Sequence, residues 1–319
     1  MLKGIKGIYI ALIVCVLSGS SAFGQYFGSR ATYWKNSRHT ISFGLGAANF
    51  LGELGGRDQI GSDFIWDLEL SKTRPSLMVN YRYQFGAVLY ARTQFSFGYV
   101  AGNDALTEET FRRNRNIHFR SPIFELAGML EAEIINLRSK TRYGVGGKKS
   151  AFEGLSLFAV LGVGVTRFNP QGNFEGTWYN LRPLRTEGQG LEGGPEPYSL
   201  FTAVIPMGFR IGYEVNKEWS FGLELMHRIT FTDYMDDVSG DYYNNDELRM
   251  QVGDLSAHFA DPSLGEVRGQ TAEGQQRGNP DNNDSYMFAH ITATYTFNQK
   301  RFKRSRGRVT KRRSRRVVF

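Results

Sequence analysis

The densest group of potential metal ligands in the sequence is one acidic stretch, residues 232–242, which contains Asp233, Asp236, Asp237 and Asp241. Carboxylates in this number are ligands that Ca²⁺ prefers. Their spacing does not match an EF-hand loop, in which ligands occupy alternate positions before a closing Glu. The stretch therefore favours a surface loop in which Asp side chains bond to nearby backbone groups, with divalent-ion binding as the alternative.

The histidines are the remaining candidates for acid–base chemistry, and they are His39, His118, His227, His258 and His290. Hydrolytic enzymes place a His beside a Ser or Asp, or pair two His residues on a helix to hold Zn²⁺. Neither G-x-S-x-G nor H-E-x-x-H occurs in the sequence. We therefore predict no catalytic residue, no metal and no cofactor, and a protein that is not an enzyme.

The N-terminal 24 residues have the pattern of a secretory signal. Two lysines precede an uncharged apolar run of ten residues, 8–17, and small residues follow at Ala22 and Gly24. A transmembrane helix needs about 20 apolar residues, so the pattern predicts a signal peptide that is cleaved before Gln25. The only cysteine, Cys15, lies inside this run, and the mature chain would therefore have no thiol for disulfides, catalysis or metal binding.

Positive charge is concentrated at the C-terminus. Residues 300–319 contain eleven Lys and Arg and no acid, so the other 299 residues carry −3 of the total net charge of +8. A nucleic-acid-binding domain carries its positive charge over a folded face. The distribution predicts a basic tail and no nucleic-acid partner.

From residue 40 onwards, apolar and polar residues alternate in eight segments separated by Gly, Asn and charged residues. A period of two is typical of β-strands with one apolar and one polar face. The predicted strands cover residues 40–47, 77–83, 89–99, 124–134, 155–168, 205–214, 219–231 and 286–297. No segment sustains the 3.6-residue period of a helix, so the sequence predicts an all-β fold.

The two faces favour a membrane barrel over a soluble β-sandwich or lipocalin-like barrel. Aromatic residues lie near the ends of the apolar rows, as at membrane interfaces, namely Tyr81, Tyr83, Tyr99, Tyr213, Trp219 and Tyr295. The polar rows carry nearly balanced charges, namely Arg82, Arg92, Arg210, Arg228, Glu125, Glu131 and Glu224. Side chains fill the interior of an eight-stranded barrel, so we predict a polar plug of paired charges, with an ion or proton path as the alternative.

Connection lengths predict the orientation. Tight turns follow the second and sixth segments, whereas about 25, 20, 33 and 53 residues follow the first, third, fifth and seventh. Outer-membrane barrels have short periplasmic turns and long external loops, so both termini are predicted to be periplasmic. The long connection 135–154 departs from this rule. Its basic residues and those of the tail are the predicted partner contacts: Lys140, Arg142, Lys148, Lys149, Lys300, Arg301, Lys303 and Arg304.

The predicted organisation is a signal peptide over residues 1–24, an N-terminal periplasmic segment over 25–39, an eight-stranded antiparallel outer-membrane barrel with long external loops over 40–299, and a basic periplasmic tail over 300–319. The tail is interpreted as a docking arm for a periplasmic partner, with a solvated extension as the alternative. Attraction between exposed charges is screened within about 8–10 Å, so such docking is expected to weaken with salt.

Stretches in the predicted external loops resemble the PorG family, outer-membrane barrels of the type IX secretion system in Gram-negative bacteria. They are residues 49–56 (NFLGELGG), 184–190 (LRTEGQG), 231–239 (FTDYMDDVS), and 277–280 (RGNP) with 283–286 (NDSY). The third stretch is the most specific, and it contains Asp233, Tyr234, Asp236, Asp237 and Ser239. The resemblance spans essentially the whole mature chain.

The resemblance implies a non-enzymatic component of the secretion machinery, with no inherited catalytic residue. It implies contact with the periplasmic ring of PorK and PorN, which the barrel would tie to the outer membrane and its lipid. Since the quoted stretches lie in predicted external loops, the ring contact is assigned to the 135–154 connection and the basic tail. The alternative function is an outer-membrane barrel enzyme or ligand-binding barrel that uses the long loop 232–284.

Overall fold

The computed structural model describes residues 37–52, 54, 73–106, 109–137 and 154–297. The strands are β1 (His39–Leu51), β2 (Arg74–Gln84), β3 (Leu89–Asn103), β4 (His118–Asn136), β5 (Leu155–Phe168), β6 (Gln171–Phe174), β7 (Thr177–Asn180), β8 (Phe201–Glu214), β9 (Trp219–Thr230) and β10 (Ser285–Phe297). The α-helices are α1 (Thr110–Arg115), α2 (Asn245–Gln251) and α3 (Asp254–Ala260), and 3₁₀ turns cover Asp104–Leu106 and Arg182–Leu184.

Eight of these strands close a barrel. Their order is β3-β2-β1-β10-β9-β8-β5-β4, and β4 pairs back with β3, so the wall formed by these eight strands is closed. Every pairing is antiparallel, as where Phe43 of β1 lies between Val79 of β2 and Ala293 of β10. The predicted eight-stranded antiparallel barrel is therefore confirmed. The β6–β7 hairpin, which extends the sheet from the start of β4, was not predicted.

Several strands are longer than the alternation indicates. β3 and β4 pair from Leu89 and Ala132 up to Asn103 and His118, so their connection is residues 104–117 and not the 20 or so residues predicted. The alternation fades in this added part because both Val100 and Ala101, on opposite faces, are buried. A period of two marks a strand only where one of its faces is polar.

The outer face of the barrel is apolar and exposed, and the inner face is charged and buried. Leu126 and Ile291 on the outside are 58% and 66% exposed, whereas Arg92 and Glu131 on the inside are 3% and 1% exposed. A soluble protein has the reverse distribution, and a transmembrane barrel has this one because hydrocarbon covers its outer face. No helix in the described ranges is long and apolar enough to cross a bilayer.

The two ends of the barrel differ. At one end, which we name the turn end, residues 85–88 join β2 to β3 and residues 215–218 join β8 to β9, and β1 begins and β10 ends. The opposite end, the loop end, carries the hairpin, the helices and the long loops. Most of the predicted interfacial aromatics lie at the turn end, where the rings of Trp219 and Tyr295 are 5.1 Å apart, while Tyr99 lies toward the loop end.

A network of charges fills the half of the interior nearer the turn end. Glu131 accepts hydrogen bonds from Arg82 at 2.9 Å and from Arg92 at 2.7 Å. Arg92 also donates to both carboxylate oxygens of Glu224, at 2.6 and 2.8 Å. Arg210 lies 3.8 Å from Glu131. A shared set of carboxylates thus joins three guanidinium groups that belong to three different strands.

A second, smaller charged group lies closer to the loop end. The guanidinium of Arg228 donates to both oxygens of Glu125, at 3.0 and 3.2 Å, and Tyr286 donates its hydroxyl hydrogen to the same carboxylate at 2.7 Å. The ring of Phe288 covers Arg228, whose guanidinium carbon is 4.4 Å from the ring centre. The seven residues predicted to fill the lumen therefore all lie inside, in two groups of opposite charges.

An apolar plug, absent from the sequence prediction, closes the interior at the loop end. It consists of buried residues from the strands and from the loops above them, namely Ala48, Phe50, Leu54, Val100, Ile117, Phe119, Ile123, Phe168, Tyr198, Val204, Met235, Val238, Tyr286 and Phe288. Loop residues such as Met235, which is 0% exposed, enter the barrel from above. The barrel is thus a packed core and not a channel.

Removing the charge of Glu131 is expected to destabilise the barrel by about 3–5 kcal/mol, because Arg82 and Arg92 would keep buried charges with one partner fewer. The substitution Glu131→Gln preserves the side-chain volume, so the loss of stability measures the effect of the charge and not of packing. Urea unfolding of the protein in lipid vesicles, followed by tryptophan fluorescence, measures it. The exposed Glu196 provides the matched control, since Glu196→Gln is expected to change stability by less than about 0.5 kcal/mol. A similar effect of both variants would contradict this account.

Candidate functional site at the loop end

The loops at the loop end fold into a compact cap whose centre is a buried ion pair. Arg277 donates to Glu187 at 2.8 Å, and both side chains are 1% exposed. Arg277 also donates to the backbone carbonyl of Asp237 at 2.6 Å, and Glu187 accepts from the backbone N–H of Ser239 at 2.9 Å. Residues from three of the stretches that resemble PorG, which are far apart in sequence, therefore meet at one pair of charges.

Asp237 lies beside this pair in a conformation that few residues adopt. Its φ is 69°, in the left-handed region where Asn, Asp and Gly are favoured. Its carboxylate accepts hydrogen bonds from the hydroxyls of Thr186 at 2.6 Å and Tyr198 at 2.5 Å. Burial raises the pKa of Asp237 to about 6, against the opposing effects of Arg277 and the two hydroxyl donors.

The other two acids of the 231–239 stretch, Asp233 and Asp236, are buried in the cap and do not lie at a surface as predicted. The predicted bond to the backbone is present at Asp236. Asp236, 1% exposed, accepts from the N–H of Val238 at 3.0 Å. Asp284 accepts from the N–H of Met235 at 2.9 Å. The ring of Tyr234 stacks on that of Tyr198, with centres 4.5 Å apart. No cluster of three or more His, Cys, Asp or Glu within the described ranges is placed to hold a metal ion.

A second buried ion pair ties the β3–β4 connection to the cap. Arg115 of α1 donates to both oxygens of Asp104, at 2.8 and 3.2 Å. The same guanidinium donates to the backbone carbonyl of Arg277 at 2.7 Å. Neither Arg115 nor Asp104 is among the residues singled out from the sequence. Their pairing spans eleven residues across a turn and a short helix, and no local sequence pattern marks it.

The stretch 49–56 contributes apolar contacts to the same structure. Phe50 and Leu54 belong to the apolar plug, and the ring of Phe50 meets that of Phe119 edge-on at 5.0 Å. A Cβ added to Gly52 would lie within 2.5 Å of the side chains of both Phe50 and Asp284. Glycine at this position therefore permits the close packing of β1 against the chain that enters β10.

The five histidines lie in different parts of the protein. His39 lies at the turn end against Tyr83, His118 contacts Trp178 on the outer rim, and His258 packs on Phe174 in the cap. His227 and His290 lie on β9 and β10. The ring of His290 shares a 3.0 Å hydrogen bond with Ser76. This Ser–His contact is enclosed in the barrel, with both residues 2% exposed, which gives a substrate no access to the serine.

The predicted partner contacts lie outside the described residues. This holds for Lys140, Arg142, Lys148 and Lys149 of the β4–β5 connection and for Lys300, Arg301, Lys303 and Arg304 of the tail. Residues 1–36, with the predicted signal, lie outside as well. The structure does place the neighbouring residues: the N–H of Leu137 donates to the carbonyl of Leu155 at 2.8 Å, so the β4–β5 connection leaves from the turn end.

Comparison with known proteins identifies no family, since no family model and no curated protein matches the chain. The solved structure of Ail, the attachment invasion locus protein of Yersinia pestis, is 10% identical, with a TM-score of 0.36 over 82% of this chain and 99% of that chain. Neisserial surface protein A is 8% identical, with a TM-score of 0.33 over 81% and 97%. The N-terminal β-barrel domain of Pseudomonas aeruginosa OprF is 6% identical, with a TM-score of 0.31 over 82% and 98%. Similarity this low carries no functional information.

Removing Glu187 is expected to open the cap while the barrel stays folded, because Arg277 would retain a buried charge without its carboxylate. The substitution Glu187→Ala should loosen the backbone around exposed arginines of the loops, so that trypsin cleaves after Arg185, Arg249 or Arg268 at least ten times faster than in the wild type. Mass spectrometry of the fragments locates the cuts. The exposed Glu192 is the matched control, and trypsin should cleave Glu192→Ala at the wild-type rate. Equal rates for all three proteins would show that the pair does not hold the cap together.

The raised pKa of Asp237 predicts a pH dependence with a defined sign. Between its ordinary pKa near 3.8 and about 6, the folded state holds a proton that the unfolded state has lost. Stability of the cap should therefore fall as pH rises through this window, by up to about 3 kcal/mol, and change no further above it. The substitution Asp237→Asn, which tolerates the left-handed backbone, should remove this slope, while Asp246→Asn, at an exposed site, should preserve it. Urea unfolding of the cap measured from pH 4 to pH 7 tests the point, and a slope that survives in Asp237→Asn would refute the assignment.

Proposed function

We propose that the protein is a non-enzymatic barrel of the outer membrane that serves type IX protein secretion as an anchoring component, in the manner of the PorG family. The observation that carries the proposal is the cap. The stretches that resemble PorG assemble there into one buried structure around Glu187 and Arg277. A shared fold of the loops is the simplest reason for such separated stretches to occur together in one chain.

The filled interior supports a role that depends on position and not on transport. The charged network and the apolar plug together occupy the lumen from the turn end to the loop end. A chain with this interior does not offer a path for a secreted protein. The function therefore depends on the segments at the two ends of the barrel.

The chain geometry supports a periplasmic attachment site at the turn end. β1 begins and β10 ends there, and the β4–β5 connection leaves from the same end. The described chain therefore enters the barrel, leaves it and is interrupted between β4 and β5 on one side of the membrane. We take this side to be the periplasm, where the N-terminal segment, the basic tail and the Lys- and Arg-rich connection would contact a ring built from PorK and PorN, with the cap facing outward.

The alternative function, an enzyme or ligand-binding barrel that uses loop 232–284, makes a different prediction. His258 and Asp241 are two of the exposed titratable residues of this loop, and an activity of this kind would need such residues. The double substitution His258→Ala with Asp241→Asn should leave secretion of cargo unchanged on the anchoring proposal. Loss of secretion with a folded barrel and intact ring attachment would favour the alternative.

Deletion of the basic tail tests the anchoring proposal directly. When a chain that ends at Phe297 is purified from detergent-extracted membranes, the amount of PorK and PorN that co-purifies should fall at least fivefold, because eleven positive charges are lost. A second variant separates charge from length, because it keeps the full-length chain and replaces the same eleven Lys and Arg by Gln. Both variants should lose the salt-sensitive part of the recovery. Recovery equal to the wild type at every salt concentration would show that the tail does not bind the ring.

A further inference from the structure

A pocket lies on the outside of the barrel wall at the loop end, on a surface that the secretion proposal does not use. Its lining is formed by six residues, Arg74, Tyr99, Ala101, His118, Arg120 and Trp178, and it encloses about 310 Å³. We name it the rim pocket. Two of the six residues are arginines, a third is a histidine, and none is acidic. A volume near 300 Å³ is at the lower end of the range for small-molecule sites.

Arg120 is held in place by contacts that leave its terminal nitrogens available. Its Nε donates to the side-chain oxygen of Gln171 at 3.0 Å, and its guanidinium carbon lies 4.0 Å from the centre of the Trp178 ring. The ring of His118 meets Trp178 edge-on at 5.3 Å. Within the part of the chain that the structure describes, neither Nη of Arg120 has a hydrogen-bonding partner. Its pair of parallel N–H donors is the arrangement that binds phosphate oxygens.

The position of the rim pocket is that of a lipid headgroup. Directly below it, toward the turn end, the rings of Phe97 and Phe124 pack at 4.8 Å on the exposed apolar face. The next outward pairs along β3 and β4 are Tyr99 with Pro122 and Ala101 with Arg120. The wall thus changes from apolar through aromatic to cationic within a few residues. Trp and Tyr are enriched at this boundary, where hydrocarbon meets the headgroups.

A depression in the apolar wall, lined by residues of β2, β3, β4, β5, β8 and β9, lies closer to the turn end than the rim pocket does. Thr93 and Gly128 pair across β3 and β4 at its floor, and Leu130, Leu161 and Val163 belong to its lining. A Cβ added to Gly128 would meet nothing within 4 Å, so the glycine leaves space on the outer surface. A depression on a face covered by hydrocarbon is filled by acyl chains.

From these observations we infer that the rim pocket binds the phosphate of a phosphorylated lipid in the leaflet on the loop side, and that an acyl chain of this lipid rests in the depression floored by Thr93 and Gly128. Arg120 binds the phosphate oxygens, Arg74 and His118 line the site beside it, and Trp178 and Tyr99 contact the polar–apolar boundary of the lipid. The inference does not rest on ring attachment, which concerns the opposite end of the barrel.

The test uses the full mature chain in a neutral detergent and native mass spectrometry with added lipid. The probes are phosphatidic acid, a diacylglycerol with the same acyl chains, and inorganic phosphate. The wild type should bind one phosphatidic acid in preference to the diacylglycerol. Arg120→Gln should weaken this binding at least tenfold. Arg113→Gln is the matched control, because Arg113 is an exposed arginine of α1, outside the rim pocket, that pairs with Glu266.

A second variant separates the acyl chain from the headgroup. Gly128→Leu fills the depression without touching the rim pocket, so it should weaken phosphatidic acid binding by about threefold or more while Arg120 stays in place. Urea unfolding of each variant confirms that the barrel is folded. Equal binding of diacylglycerol and phosphatidic acid, or unchanged binding in Arg120→Gln, would overturn the headgroup site. Displacement of the lipid by an equal concentration of inorganic phosphate would show that the rim pocket binds free phosphate and not a lipid headgroup.

Discussion

The fold depends on one electrostatic constraint: arginines lie inside a barrel whose outer face meets hydrocarbon, so their charges must be balanced by carboxylates within the lumen. Glu131 shows how closely this is done, since it accepts from Arg82 and Arg92 and lies 3.8 Å from Arg210. Arg92 of β3 and Glu224 of β9 lie on opposite walls and still meet at 2.6 Å, so the interior is narrow enough for side chains to bond across it. Eight strands enclose an interior of that width, and a wider barrel would leave the same charges apart, with water between them.

The cap changes how the loop stretches that resemble PorG are interpreted. Residues such as Asp236, Asp237 and Glu187 are almost fully buried and bond to backbone groups and hydroxyls of the cap. These buried carboxylates therefore hold the loops together and are not available to a partner. A sequence motif in an external loop is easily taken as a contact surface, and here it specifies a fold. Contacts of the cap with other proteins would involve the exposed residues around this motif.

Much of the barrel could be predicted from the sequence because each strand has one polar and one apolar face, and the predicted strand 155–168 has the bounds of β5. The cap could not be predicted in this way. Glu187 and Arg277 are 90 residues apart, and their pairing depends on tertiary structure alone. The β6–β7 hairpin consists of two strands of four residues, too short for alternation to be read. The apolar plug was missed since inward residues there, such as Phe50, interrupt the polar row.

The pairing of β1 with β10 has a consequence for biogenesis. These strands form a thirteen-residue ladder, from His39 with Phe297 to Leu51 with Ser285, although they lie at opposite ends of the described chain. Until the last strand is available, the sheet has two open edges whose backbone groups hydrocarbon cannot satisfy. The barrel therefore cannot insert strand by strand as the chain emerges from translocation. Closure of the sheet is thus a late step that waits for β10.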